Sequence, residues 1–374
     1  MNPFRPTFGT SPPAMVGRDE LVDEFAIALD DGPGAPGRAT IYTGPRGSGK
    51  TVLLNAVEDV ARRRGWIVIS ETAAGGLVER LETDHLPTIL ADIAPTSSTR
   101  LTGIDAPFGL GGASWEHDSD PPPSPSLRSL LGRAADAAAA NGTGVLLTID
   151  EIHSVEPADI REIATTIQHM FREDREVAIV VAGLPDLVEE RLYQDAAITF
   201  LRRADRHRVG LLTPTMTAEG LRAPIEQAGR QITDEALSAA VDVAAGYPFM
   251  VQVVGHATWR QQPDAPVIEL HDVERAATYA IERVGQLVHA PSLAGLSTRD
   301  RDFLAAMALD DGPSRMADIA HRMGVDKNYA GQYRRRLLAS ELVDAPSRGH
   351  VDFALPYLRD YVRGLDIELD DPDA

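Results

Sequence analysis

"GPRGSGKT", residues 44–51, is the stretch on which the reading of this chain turns. Gly44, Gly49, Lys50 and Thr51 fit the pattern G-x-x-x-x-G-K-[ST]. The run "ATIYTG" before it reads as a buried strand. The run "KTVLLNAVEDVARRRG" after it reads as an amphipathic helix that stops at Gly65. A glycine-rich loop between a strand and a helix is a phosphate cradle. Glycines let backbone N–H groups turn toward phosphate oxygens, and the helix presents its positive end to them. Gly44, Pro45, Arg46, Gly47, Ser48 and Gly49 are the expected cradle, with Lys50 and Thr51 opening the helix. The chain has 34 arginines and two lysines, and one of those lysines is Lys50. A compact ammonium reaches the β and γ phosphates of ATP where the planar fork of arginine would not fit. The Thr51 hydroxyl is the expected ligand to Mg²⁺.

The partner acids stand in "VLLTIDEIH", where an apolar run ends in Asp150 and Glu151. A carboxylate at the end of such a strand can hold the metal ion while its neighbour activates water. Asp150 is the expected metal residue and Glu151 the expected general base. His153 reads as a local hydrogen-bonding residue.

Around this site the pattern alternates strand and helix, with "WIVISETA", "GVLLTIDE", "EVAIVVAGL" and "HRVGLL" as further strands. Strands apolar throughout imply a parallel sheet covered on both faces. The expected class is therefore α/β, a P-loop NTPase core with a parallel sheet over residues 15–212, after a flexible lead-in at 1–14. Residues 95–127 are rich in Gly, Pro and Ser and read as an inserted hairpin and loop. Beyond Thr213 the strand signal stops, and four helical segments form a lid at 213–292. A third unit spans 293–364, and an acidic tail closes the chain at 365–374.

The 374 residues carry a net charge of −20, which argues against coating nucleic acid by bulk charge. Cysteine is absent, so disulfides, thiolate metal sites and cysteine nucleophiles are excluded. Neither a secretory leader nor an apolar run of membrane length is visible, so a soluble cytoplasmic protein is expected.

"MVGRDEL" some thirty residues before the loop, then "LLTIDE", then "AIVVAGLPDL", then a helical domain, resembles the AAA+ and STAND P-loop ATPases, nearest to the origin-recognition and archaeal types. The resemblance covers roughly residues 15–290. It implies ATP hydrolysis with Mg²⁺, and it implies that Val16, Gly17 and Arg18 line the adenine pocket. "GYPFMVQVVG" looks like the G-x-P motif of STAND ATPases, which implies Tyr247 and Pro248 closing over adenine. In ring-forming relatives an arginine before the last strand reaches a neighbouring copy, which implies Arg202 or Arg203. The sequence departs from the family pattern in two places. "VVAGLP" has no polar residue to sense the γ-phosphate, and the lid lacks the usual arginine. Both departures imply slow turnover, suited to a switch.

The third unit reads as three helices, starting near Ser297, at "RMADIAHRMG" and at Asp326, followed by the strand-like "HVDFAL". That order resembles a winged helix-turn-helix. Ala330, Tyr333 and Leu337 share the inward face of the third helix. Lys327, Asn328, Gln332 and Arg335 face out, where a recognition helix meets a major groove. Arg334, Arg335, Arg336 and Arg348 are the expected phosphate contacts. Residues 293–363 hold 11 basic and 10 acidic residues, near neutral within an acidic chain. Two outputs follow. One is a nucleotide-controlled switch that binds double-stranded DNA. The other is a STAND-like signalling ATPase whose winged unit makes protein or intramolecular contacts, with a homo-oligomer or another protein as partner.

Overall fold

The computed structural model describes residues 1–7, 15–93, 125–184, 188 and 201–365. Five strands form one parallel sheet: β1 (Ala39–Thr43), β2 (Ile67–Thr72), β3 (Val145–Asp150), β4 (Val177–Gly183) and β5 (Asp205–Arg208). Their spatial order is β2-β3-β4-β1-β5. Thr40 faces Val180 on one side and Asp205 on the other, so β1 lies between β4 and β5. All seven residues of β4 are buried, as are the first five of β3, which is why both read as unbroken apolar runs. β5 is polar and alternates in burial, as an edge strand does. It starts two residues before the "HRVGLL" that suggested it and ends at Arg208, because Val209 to Leu212 leave the sheet to meet the next unit. The Leu212 amide there donates to the Gly246 carbonyl at 2.7 Å.

Helices cover both faces of the sheet. α1 (Asp19–Asp30) and α2 (Lys50–Arg63) pack on one side, where Leu53, Leu54, Val57 and Ala61 meet Tyr42, Leu146 and Val180. The other side holds α3 (Leu77–Arg80), α4 (Leu86–Ile93), α5 (Leu127–Ala139) and α6 (Pro157–Arg172). α6 buries Ile160, Ile163, Ala164, Ile167 and Met170, the stripe its spacing predicts.

The helical part that follows contains α7 (Pro214–Gln227), α8 (Asp234–Ala244), α9 (Pro248–Trp259) and α10 (Leu270–Val284). The Thr213 and Thr233 hydroxyls accept the amides of Met216 and Ala236 in the first turns of α7 and α8. A two-residue parallel pair, β6 (Gln231–Ile232) with β7 (Val267–Ile268), ties the α7–α8 and α9–α10 connections together. Strands that short leave no periodic signal. A π-turn at Gly285–His289 and α11 (Ala290–Ala294) then lead into the last unit.

That unit holds α12 (Thr298–Ala308), α13 (Met316–Arg322), α14 (Lys327–Ala339) and α15 (Leu358–Arg363). An antiparallel sheet of β8 (Ser314–Arg315), β10 (His350–Phe353) and β9 (Val343–Asp344), in that order, flanks them. Ser297 and Asp300 form a capping box on α12, and Asp326 caps α14. One continuous apolar core runs from Phe4 and α7 to Val362, so the helical part and the last unit share their interior.

One expectation needs correcting here. Residues 1–7 are docked instead of forming a loose lead-in. The Phe4 ring is 2% exposed and packs in the shared core, an anchor that a lone aromatic among prolines and threonines did not reveal. Residues 8–14, most of the 95–127 insertion and the acidic tail beyond residue 365 lie outside the described residues.

Candidate functional site

A cavity of about 440 Å³ lies where the sheet's α1 and α2 side meets the helical part. Its polar end is the loop after β1. Arg46, Gly47, Ser48, Gly49, Lys50 and Thr51 line it, together with Glu151. Lys50 is buried, and its Nζ donates to the carbonyls of Gly44 at 2.6 Å and Pro45 at 3.0 Å. Burial lowers its pKa, while the negative charges of Glu151, Glu341 and Asp150 oppose that fall. Glu341 belongs to the last unit, so that unit adds to the field at the cradle.

The register of the sheet brings Asp150 to α2. Thr51 Oγ1 donates to Asp150 Oδ2 at 2.5 Å, and the Glu151 amide donates to Asp150 Oδ1 at 2.9 Å. Both oxygens of that carboxylate are therefore fixed. Glu151 follows the end of β3 with φ at 54°, a left-handed backbone that a residue with a Cβ adopts only under constraint. Burial raises its carboxyl above the ordinary value of 4.5. Lys50 opposes the rise, and Asp150 adds to it. His153 stands between the end of β4 and Glu151. Its Nδ1 accepts the Leu184 amide at 3.3 Å, which leaves the proton on Nε2, 3.2 Å from Glu151 Oε2. The end of β4 carries Gly183 and Leu184, so the sensing position offers backbone alone.

The apolar end is built from Met15, Val16, Leu212, Gly220, Pro248, Phe249, Val251, Leu287, Val288 and Pro291. Arg18 borders the cavity and is held by the carbonyls of Gly17 and Gly210. Gly17, Gly44, Pro45 and Tyr247 build the walls without lining the cavity. Tyr247 differs from expectation. Its ring is fully buried and its hydroxyl donates to the Arg46 carbonyl at 2.6 Å, so it braces the loop instead of covering the cavity. A Cβ on Gly47 would stand 2.1 Å from that hydroxyl oxygen, which explains glycine at this position. Leu287, Val288 and Pro291 were missed by sequence reasoning, because tertiary packing alone brings them to the cavity. Arg5, Thr7 and Gln252 also border it.

Arg202 and Arg203 sit in a single turn, Leu201–Arg203, before β5 and do not line the cavity. In the last unit Lys327, Asn328, Gln332 and Arg335 are exposed along α14, and Arg348 is exposed between β9 and β10. Arg334 is half-buried. Arg336 is committed elsewhere, with Nη2 2.7 Å from the buried Asp300 and its guanidinium over the Tyr333 ring. Among the described residues, no helix is long and apolar enough to cross a membrane.

In sequence, residues 14–181 match the family described as AAA ATPase domain. Residues 286–362 match a domain of unknown function, DUF8462. No curated protein matches the chain. The fold is similar to that of the Walker-type ATPase PABY2304 of Pyrococcus abyssi, at 17% identity and a TM-score of 0.66 over 93% of this chain and 96% of that one. It is also similar to the ORC2 protein of Aeropyrum pernix, solved as ADPNP–ADP complexes, at 14% identity and a TM-score of 0.65 over 96% of each chain. Residues 14–181 are thus similar in sequence to an AAA ATPase domain, within a fold that these two solved proteins share over nearly the whole length of the chain.

Proposed function

We propose that this protein is a slow ATPase whose nucleotide state controls binding of duplex DNA by a winged helix-turn-helix formed by the last unit. The observation that carries the nucleotide reading is the convergence of Lys50, Thr51, Asp150 and Glu151 at one end of a cavity whose other end is apolar. The loop amides and Lys50 hold the phosphates, and Val16, Pro248 and Val251 enclose the base. The Thr51 hydroxyl and Asp150 carboxylate are hard oxygen donors already 2.5 Å apart, and they suit Mg²⁺. When bound there, the ion neutralises charge on the phosphates. Glu151 accepts a proton from water as the water oxygen attacks the γ-phosphorus. The bond to the bridging oxygen breaks, and ADP and phosphate leave. His153 orients Glu151. Arg202 and Arg203 serve catalysis only between copies, since neither lines its own site. The backbone-only end of β4 is the reason to expect slow turnover.

The DNA reading rests on α14, whose exposed Lys327, Asn328, Gln332 and Arg335 lie opposite the buried Ala330, Tyr333 and Leu337. Arg348 in the β9–β10 loop supplies a phosphate contact, with Arg334 on the helix itself. Arg336 is set aside because it neutralises Asp300.

Calorimetry with ATP tests the first half. Lys50→Ala abolishes binding, whereas Glu151→Gln binds and does not turn over; undiminished turnover in Glu151→Gln removes the base. Mobility shifts on duplex DNA across a salt series, with and without ATP, test the second half. Binding that weakens with salt supports it, and no binding in either state refutes it.

A further inference from the structure

We propose that residues 1–7 form a strap that closes the nucleoside end of the cavity and that Arg5 and Gln252 supply donors to the nucleoside. The inference rests on the nucleotide reading above.

The strap is anchored on α9 at His256 and Gln252. Asn2 Nδ2 donates to the His256 carbonyl at 3.1 Å, and Asn2 Oδ1 accepts the Phe4 amide at 3.0 Å. The Arg5 amide donates to Gln252 Oε1 at 3.1 Å. Between these bonds the Phe4 ring enters the core over Gly255, where an added Cβ would stand 2.4 Å from a ring carbon. Gly255 in mid-helix costs stability, and its lack of a side chain is what admits the ring.

The anchoring places the strap along the cavity. Tyr247, just before α9, holds the phosphate loop through the Arg46 carbonyl. Gln252 lies five residues further, about 7 Å along the axis at the usual helical rise. That distance carries the strap past the phosphates to the apolar end, and Arg5, Thr7 and Gln252 all border the cavity. Gln252 Oε1 accepts the Arg5 amide, which orients the carboxamide and leaves its NH₂ group to donate. The Arg5 guanidinium is donor-only. Donors there suit the ring nitrogens of a purine and the oxygens of ribose. The strap also covers one side of the base, so it slows release.

Titration calorimetry of the full chain with ADP, and separately with inorganic tripolyphosphate, both with Mg²⁺, tests this. Gly255→Ala fills the slot from the helix side and improves helix propensity, so it retains the fold while expelling Phe4. We expect Gly255→Ala and Phe4→Ala to weaken ADP binding about tenfold, and Arg5→Ala about threefold, with tripolyphosphate binding unchanged in each. ADP affinity unchanged in all three variants overturns the strap. Equal weakening of both ligands overturns it too, because the effect would then lie in the phosphate loop. Wild-type protein that binds neither ligand refutes the underlying nucleotide site instead.

Discussion

At the scale of single residues, the proposed base is held in a constrained backbone. Glu151 stands in a left-handed backbone conformation, partly buried, with its carboxyl raised above 4.5. A raised carboxyl means that the fold prefers the protonated form, so its ionisation costs stability as pH rises past that value. Glu151→Gln should therefore melt at a higher temperature than wild type at neutral pH. The gap should close below pH 4.5, and a constant gap across that range would contradict the assignment. Turnover carries the opposite sign. The base must be ionised, so wild-type activity falls as pH drops through a value above 4.5. The placement of Asp150 and Glu151 was legible in "LLTIDE", because acids at the end of an apolar strand are a local signal. The role of His153 was legible only as local hydrogen bonding. Its partner Leu184 follows the end of a strand whose position depends on the whole sheet.

At the scale of elements, α9 does more than its sequence suggested. Its apolar residues and its proline at the first position marked a helix start, and α9 begins there. What could not be read is that the residue capping its start, Tyr247, braces the loop after β1 while its second and third turns hold residues 1–7. Both depend on glycines whose reason lies in a distant ring: Gly47 for Tyr247 and Gly255 for Phe4. Tyr247→Phe keeps the ring and removes one buried hydrogen bond, leaving the Arg46 carbonyl without this donor. It should cost about 1 kcal/mol, which thermal or urea unfolding would detect. No loss would mean that the brace is only steric. The long helices were legible because burial repeats at the helical period. β6 and β7 were not, since two residues cannot display a period of two.

At the scale of the whole molecule, the decisive feature is where the nucleotide cavity ends. Leu287, Val288 and Pro291 line it, and they belong to the π-turn and short helix that join α10 to the last unit. π-turns often mark functional positions in helices. On the far side of this joint Tyr361 packs against Gly285 and lies 5.5 Å from the His289 ring, and Tyr357 donates to the Val243 carbonyl at 2.8 Å. Burial holds His289 neutral, with its pKa lowered to about 4, so the joint stays apolar at physiological pH. On the proposed reading, a nucleotide bound in the cavity would press on Leu287 and Val288, and through them on the last unit, since a packed core does not deform continuously. If nucleotide changes DNA affinity through this joint, DNA must change nucleotide affinity by the same factor, because coupling is reciprocal. Measuring the ADP dissociation constant with and without saturating duplex gives that factor. Tyr361→Ala removes the ring that packs on the joint while leaving both binding faces intact. We expect the ratio of the two constants to move toward one in Tyr361→Ala, while ADP affinity without DNA stays close to wild type. A ratio unchanged by Tyr361→Ala would place the coupling elsewhere, in the contact of Arg208 with Asp344 or at Glu341 beside the cradle.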